Sequence, residues 1–252
     1  MLYTSEYIAK ALKGDYAYGT AVRLSTVESV LVSVIHAMMT FVASVIWLLA
    51  KIPIISDFLE MFVRCYPRGA AGFFLRGAYF KAKLGRMGKN VLIDLGVTIW
   101  NPENVSIGDY SHLDTNVKIE GNGPVSIGSF VHVASNVLLQ GRGGLTIGDY
   151  ADIAAGSLIY SGVNHYTDGT TDRYYEMSSC APADRQFVRC APVTVERSAF
   201  IGLNSVVMPG VTVGEGAIVG ACSFVNRDVG PYEIAVGVPA RAMKERPRPT
   251  NE

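Results

Sequence analysis

Four histidines and four cysteines are the residues of this 252-residue chain best suited to hold a metal or move a proton near neutral pH. Cys65, Cys180, Cys190 and Cys222 form no CxxC pair, which argues against a zinc ribbon or a dense disulfide framework and fits a reducing compartment. One bridge between Cys180 and Cys190 across a loop is left open. His112 and His132 stand 20 residues apart and Asp152 follows after 20 more, so in a 20-residue repeat the three would stack. Stacked His and Asp suggest either a metal site or a polar ladder at a subunit interface. Three neutral ligands are hard to assemble from this ladder, and no metal is expected. His165 stands alone at the head of a stretch without repeats. A neutral imidazole there could take a proton from a nucleophile, or could be a loop residue making surface contacts.

The elements that would position these groups are set by a repeat. Val105–Pro124, Val125–Gly144 and Leu145–Asn164 are consecutive blocks of 20 residues that align without gaps, each opening on an aliphatic residue, Ser or Thr, then Ile-Gly. Aliphatic residues fall at 93, 99, 107, 113, 119, 127, 133, 139, 147, 153 and 159, in steps of six, six and eight. The step of six resumes at 195, 201, 207, 213, 219 and 225, and every one of these seventeen positions is Ile, Leu or Val. Such a step is neither helical nor a simple alternation. It predicts a triangular coil of three short strands, each turning one aliphatic residue inward, with coils stacked about 4.8 Å apart. A glycine after many of the ladder residues, as in Ile107-Gly108 and Ile127-Gly128, is expected to turn the corner. The two extra residues per coil, Glu103-Asn104, Gly123-Pro124 and Gly143-Gly144, should share one corner. Regular strand spacing also suits a β-sandwich, but a sandwich does not hold a strict step of six over this length. The period gives a parallel β-helix over 89–228 and no handedness; right-handed crossovers are the general rule.

Two segments interrupt the pattern. Residues 161–193 break the array with a long insert whose aromatic pairs, His165-Tyr166 and Tyr174-Tyr175, predict an ordered, contact-making loop. Residues 1–88 form a helical, apolar region in which Val30–Ala50 holds no Asp, Glu, Lys or Arg and is long enough to span a bilayer core. Beyond Pro53, Arg64, Arg68, Arg76, Lys81 and Lys83 alternate with Phe58, Phe62, Phe73, Phe74, Leu75 and Tyr79, a pattern suited to helices in the membrane interface. The competing reading is a buried helix packing one subunit on another; His36, Ser33, Thr40 and Ser44 make the run less apolar than an ordinary anchor. Spanning, re-entry at Pro53 and surface packing all remain open. Basic residues are denser after the run, which places the body on the cytoplasmic side. Residues 229–252 read as a tail. Lys plus Arg equals Asp plus Glu at 22 each, so no bulk positive field attracts nucleic acid, and none of its binding motifs is present.

The triplet blocks, the interruption with His165 near its start and the ending VGVPARAMK resemble the sugar and xenobiotic O-acetyltransferases of the hexapeptide-repeat family. With its apolar N-terminus the chain looks most like the acetyltransferases of bacterial surface-polysaccharide synthesis. The resemblance covers about 91–246. It implies an all-β left-handed parallel β-helix, packed as a homotrimer, with acetyl-CoA as co-substrate and a hydroxylated saccharide, free or lipid-linked, as acceptor. It implies that His165 is the general base, with Asn164 and Asp168 as orienting candidates. Leu203 and Ala221 would face the pantetheine arm. Asn226 and Arg227 match a Thr-Lys pair that meets the cofactor, while Arg241 and Lys244 match basic residues near the CoA phosphates. Leu203 replaces the commoner Gly or Ser, so only its backbone N–H carries over. The family's acceptor Asn and Asp correspond to Ala134 and Arg142, so the acceptor or its pose differs; Asn136, Gln140 and Arg142 are the nearby polar candidates. The alternatives are N-acetylation of an amino sugar, a metal hydratase like the β-helix γ-type carbonic anhydrases, and a non-catalytic trimeric scaffold. The expected location is the cytoplasmic face of a bacterial plasma membrane.

Overall fold

The computed structural model describes residues 3, 8–9, 26–171 and 173–248. Parts of the N-terminal region 1–88 (1–2, 4–7 and 10–25) and of the tail 229–252 (249–252) lie outside the described residues, as does 172.

From Arg86 onward the chain winds into a three-sided prism. Its first face stacks Arg86–Met87, Val105–Ile107, Val125–Ile127, Leu145–Ile147, Val193–Val195 and Thr212–Val213. The second begins with Leu92–Ile93, His112–Leu113, His132–Val133 and Asp152–Ile153, and continues through Phe200–Ile201 and Ile218–Val219. The third runs from Thr98–Trp100 to Phe224–Val225. Pairing is parallel and in block register: Ile107 lies beside Ile127, Ile127 beside Ile147, and Ile147 beside Val195. The last step skips the whole insert, so the interruption leaves the stack intact. All seventeen ladder residues are buried. Burying aliphatic side chains in contact with like neighbours is the main stabilising term of the body.

The corners differ from the expectation in one respect. Gly108 has ordinary backbone dihedrals, and the left-handed residue comes two positions later, at Tyr110, Phe130 and Tyr150 (φ 57°, 57° and 59°). Gly108 is small for another reason: a Cβ there would lie 2.5 Å from the carbonyl carbon of Gly128 in the next coil. The glycine permits close stacking, and the residue two positions on turns the chain. At the next corner Asn116, Asn136 and Asn204 take the left-handed role, which asparagine tolerates better than most residues. The extra pairs of residues do share the third corner.

Strands continue beyond 228. Glu233–Gly237 adds in parallel to Ile218–Val219, and Ala240–Glu245 folds back on it antiparallel. The step of six ends at Val225 but the pairing does not, so part of the tail caps the open edge of the second face.

Among the described residues three long helices lie at the other end: α1 (Thr26–Leu49), α2 (Pro53–Cys65) and α3 (Ala70–Lys83). Pro53 sits in the first turn of α2, where its missing N–H costs nothing, and Pro67 follows its end. α3 rests on the first coil, and α1 and α2 pack on α3. The junction is polar and buried. Arg76, fully buried, donates from Nε to the Ile93 carbonyl at 2.8 Å and from Nη1 to the Tyr66 carbonyl at 2.7 Å. Arg68 donates from Nε to both carboxylate oxygens of buried Asp94, at 2.8 and 3.0 Å. Burial alone would raise the Asp94 pKa; the Arg68 hydrogen bonds, the Leu95 N–H, the Arg68 charge and the Thr115 hydroxyl outweigh it and hold the group at about 2.

Outside this junction the helices carry apolar residues on both faces: Val32 and Ile46 of α1 and Val63 of α2 are buried. α2 turns Ser56 and Glu60 inward, where both meet the Tyr79 hydroxyl, and turns Ile54, Phe58, Met61 and Phe62 outward. Phe58 is 67% exposed and Ile54 74%. α1 likewise exposes Val27, Leu31, Val34, Met38, Phe41, Val45 and Leu48. It is long and apolar enough to cross a membrane. Its hydroxyls do not oppose that: Ser33, Thr40 and Ser44 each donate to the carbonyl four residues back, at 2.8 to 2.9 Å.

Candidate active site

The insert leaves the third corner as a two-stranded arm. Gly162–Asn164 pairs antiparallel with Val188–Cys190. Gly162 is held at the root, its N–H donating to Gln140 Oε1 at 2.9 Å, and a Cβ there would crowd Arg142 Cβ at 3.0 Å and Cys190 Sγ at 3.2 Å. The arm has its own small core, in which buried Tyr175 packs on Phe187 with ring centres 5.5 Å apart. It is therefore ordered, as its aromatic content predicts. Tyr166, Tyr174 and Met177 stay exposed on it. All four cysteines are free thiols, so no Cys180–Cys190 bridge closes the arm.

His165 is the first residue beyond the paired strand, its N–H donating to the Phe187 carbonyl at 2.9 Å. The ring is half-buried and stacks on Tyr166 at 4.7 Å between centres. Its Nδ1 lies 2.8 Å from the Thr167 carbonyl and 3.3 Å from the Thr167 N–H. A carbonyl can only accept, so the shorter contact is made in the tautomer with the proton on Nδ1, which leaves the lone pair on Nε2. This is the tautomer a general base needs.

Neither orienting candidate touches the ring. Asn164 donates to the Met177 carbonyl at 3.0 Å and to the Ser179 hydroxyl at 3.2 Å, tying the two sides of the arm. Asp168 accepts from the N–H groups of Thr170 and Thr171, the Thr171 hydroxyl and the Tyr175 hydroxyl at 2.8 to 2.9 Å, and these bonds hold its carboxyl well below the usual range. It organises the turn that carries Thr167. The ring partner that sequence reasoning missed is a main-chain carbonyl, which no side-chain pattern could reveal.

The residues matched to CoA fall into two groups. Ile201 pairs with Val219, which sets Leu203 beside Ala221 at the corner between the second and third faces. Both are exposed, and among the described residues the N–H groups of Leu203 and Ala221 donate to no protein acceptor. Val236 lies against Gly220, and Arg241 pairs with Val236, so Arg241 is in register with Gly220 and Gly202, one residue before Leu203 and Ala221 on the same coil edge. Lys244, paired with Ile234, lies further along the same strand. Asn226 and Arg227 are exposed just past Phe224–Val225, one prism side away from that edge.

The acceptor candidates also separate. Gln140 and Arg142 sit at the root of the arm, and the Gln140 side chain is committed to Gly162. Asn136 belongs to the asparagine corner, accepting from Asn116 Nδ2 at 3.4 Å, a strand's length from Gln140. The His ladder forms as expected: His112 pairs with His132 and His132 with Asp152, whose Oδ1 lies 3.2 Å from His132 Nδ1. A second cluster was not anticipated. Asp94, His112 and Asp114 bring ligand atoms within 4.8 Å of one another, and the Arg68 guanidinium already pairs with both carboxylates. Its signal was present, since Ile93-Asp94 and Leu113-Asp114 occupy the same place in successive blocks.

Comparison with known proteins bears on this geometry. The family described as Bacterial transferase hexapeptide (six repeats) matches residues 192–227. AntD, an N-acyltransferase from Bacillus cereus, shares 32% identity and a TM-score of 0.61 over 67% of this chain and 87% of its own; it was solved with dTDP-4-amino-4,6-dideoxyglucose and coenzyme A. The galactoside O-acetyltransferase of Escherichia coli (strain K12) is 41% identical over 54 residues, 21% of this chain and 27% of its own. The chloramphenicol acetyltransferase of Morganella morganii is 38% identical over 60 residues, 24% of this chain and 29% of its own. The matched part of the chain spans between 26% and 52% of the length of the first curated relatives. The chain belongs to the hexapeptide-repeat transferase family, and its body is a left-handed parallel β-helix.

Proposed function

We propose that this protein is an acetyl-CoA-dependent O-acetyltransferase that acts on a hydroxylated saccharide, free or lipid-linked, at the cytoplasmic face of a bacterial plasma membrane. The observation that carries the reading is His165, held by Thr167 so that Nε2 can accept a proton. Bound acetyl-CoA supplies the acyl carbonyl and the thiolate leaving group. His165 Nε2 takes the acceptor proton as the hydroxyl oxygen bonds to the acyl carbon; the C–S bond breaks, and the proton passes from the imidazolium to the CoA sulfur. The free N–H groups of Leu203 and Ala221 offer hydrogen bonds to the pantetheine arm, and Arg241 offers positive charge to its phosphates.

The arm leaves one corner of the prism while the coil edge of Leu203 and Arg241 occupies another. A trimer of parallel prisms sets unlike corners side by side, so that His165 of one copy faces that edge of the next. The exposed Tyr166, Tyr174 and Met177 on the arm suit such an interface. The outward apolar stripes of α1 and α2, added to apolar faces already packed on the protein, favour a bilayer surface as their cover.

AntD, with an amino sugar in its site, supports a second reading, N-acylation. The hydratase reading has less support, because Arg68 already pairs with both carboxylates of the Asp94–His112–Asp114 group.

The test is CoA release with paired saccharide acceptors that differ only in bearing a hydroxyl or an amine. His165→Ala should lower kcat by roughly 10²–10⁴ with little change in KM for acetyl-CoA. Full activity without His165 would overturn the mechanism, and turnover of the amine acceptor alone would establish N-transfer.

A further inference from the structure

A groove lies between α1 and α3, outside the acyl-transfer machinery. It holds about 340 Å³, within the range of small-molecule sites. Its α1 wall is a single stripe, His36, Met39, Thr40, Ala43, Ser44 and Trp47, at spacings that place all six on one helix face. At about 1.5 Å per residue the stripe runs roughly 16 Å. Phe74, Ala78 and Lys81 of α3 face it, and Tyr3 and Ile8 line a third side. Small residues, Ala43, Ser44 and Ala78, leave the space open where a packed core would be filled.

The chemistry of the walls is uneven. Thr40 and Ser44 spend their hydroxyls on their own helix, so they present carbon to the groove. One end is basic and aromatic. Lys81 lines it, bonded to the Met87 carbonyl and retaining further N–H donors, and burial lowers its pKa. Lys51 lies 5.0 Å over the Trp47 ring and donates to the Ala82 carbonyl nearby. At the other end His36 Nε2 is buried with no hydrogen-bond partner among the described residues, which ends the apolar run.

We propose that this groove takes one acyl chain of an anionic phospholipid, with the headgroup phosphate at Lys81 and the chain running toward His36. The charge at one end and the carbon walls both match such a lipid. The assignment rests on the membrane reading for its source of lipid and is independent of the acyl-transfer reading.

The full chain is mixed with vesicles of phosphatidylcholine and phosphatidylglycerol in which the phosphatidylglycerol carries a photoactivatable diazirine in mid-chain, and the adducts are mapped by mass spectrometry. Adducts should concentrate several-fold on Met39, Ala43, Phe74 and Ala78 relative to Phe41, Phe58 and Met61. Vesicle binding with adducts only on the outward residues would overturn the groove while leaving the membrane reading; no vesicle binding at all would overturn both. Ala43→Phe fills the groove from an already partly exposed position. It should keep vesicle binding and lose the groove adducts, and undiminished adducts would count against the proposal. Moving the diazirine to phosphatidylcholine should weaken groove labelling several-fold, and Lys81→Gln should erase that difference. Equal labelling by the two lipids in the unmodified chain would overturn the placement of the headgroup.

Discussion

The body and the cap of this molecule use the same apolar residues in opposite ways. In the body Ile, Leu and Val point inward in every coil, and the outer surface mixes polar and charged residues with single large ones such as Trp100, Tyr150 and Leu203. In the cap α2 turns Phe58 and Met61 outward and keeps Ser56 and Glu60 within. A closed prism has one inside, and its backbone pairing fixes which residues occupy it. A short helix stack has two apolar surfaces available, and what lies beyond the stack decides which is covered. The contrast leaves the ladder of the body covered by the chain itself and the outer stripes of α1 and α2 exposed.

Paired substitutions can break that comparison. Ile153→Asp places a carboxylate inside the ladder at a fully buried site. A buried, unpaired charge is among the most damaging single changes, and we expect a loss above about 4 kcal/mol and no cooperative melting transition. Phe58→Asp makes the same chemical change at an exposed position. It should leave urea stability within about 0.5 kcal/mol, as exposed substitutions do, while weakening vesicle co-sedimentation. Equal destabilisation by both would show that the outward stripe of α2 is a core face after all.

That difference also explains what was legible in the sequence. The ladder was readable because its period is enforced by stacking: Ile107, Ile127 and Ile147 meet one another in the fold as they do in the alignment of blocks. The corners were half readable. Gly108 was recognisable as necessary, but the need was for close coil packing, and the turning residue is Tyr110, whose ring stacks on Phe130 at 5.1 Å. In the arm His165 stood out by its place in the interruption and is the base of the proposed reaction, whereas its partner Thr167 acts through a carbonyl and leaves no side-chain signature. Asp168 read as an orienter because it is acidic and near; its oxygens are consumed by local N–H and hydroxyl groups instead. The orientation of α2 was not legible, because a helix with apolar residues and a few polar ones states its moment and not its neighbour.

The seam between the two regions sharpens the comparison at intermediate energy. Asp94 is buried with its carboxyl at about 2, below an ordinary value of 3.8. A depressed acid stabilises the fold above its unfolded pKa and ceases to do so as pH falls through the folded one. The contribution is therefore complete above about pH 4 and lost toward pH 2, and by linkage is worth about 2 kcal/mol. Acid titration followed by circular dichroism should show this loss, and Asp94→Asn should remove it while lowering stability at neutral pH. If the variant keeps the same acid limb, the junction does not couple cap to body through this group.

The smallest effect should come from the exterior His ladder, which belongs to the body but is half open to water. His132 is raised by its hydrogen bond to Asp152, burial opposing and the carboxylate charge adding. That pair stabilises below about pH 6.5 and its contribution fades as pH rises through the folded value. His112 is lowered by burial and by His132 beside it, so it acts oppositely and penalises the fold as pH falls through the same region. The two act in opposite senses in the unmodified protein. Asp152→Asn removes only the favourable one. With both partners 44% exposed the pair is worth no more than about 1 kcal/mol. The variant should match the unmodified chain in Tm at pH 8 and fall below it progressively toward pH 5.5. A deficit equal at both pH values would mean that Asp152 supports the ladder by packing alone, and that this outer surface, unlike the interior it covers, is indifferent to charge.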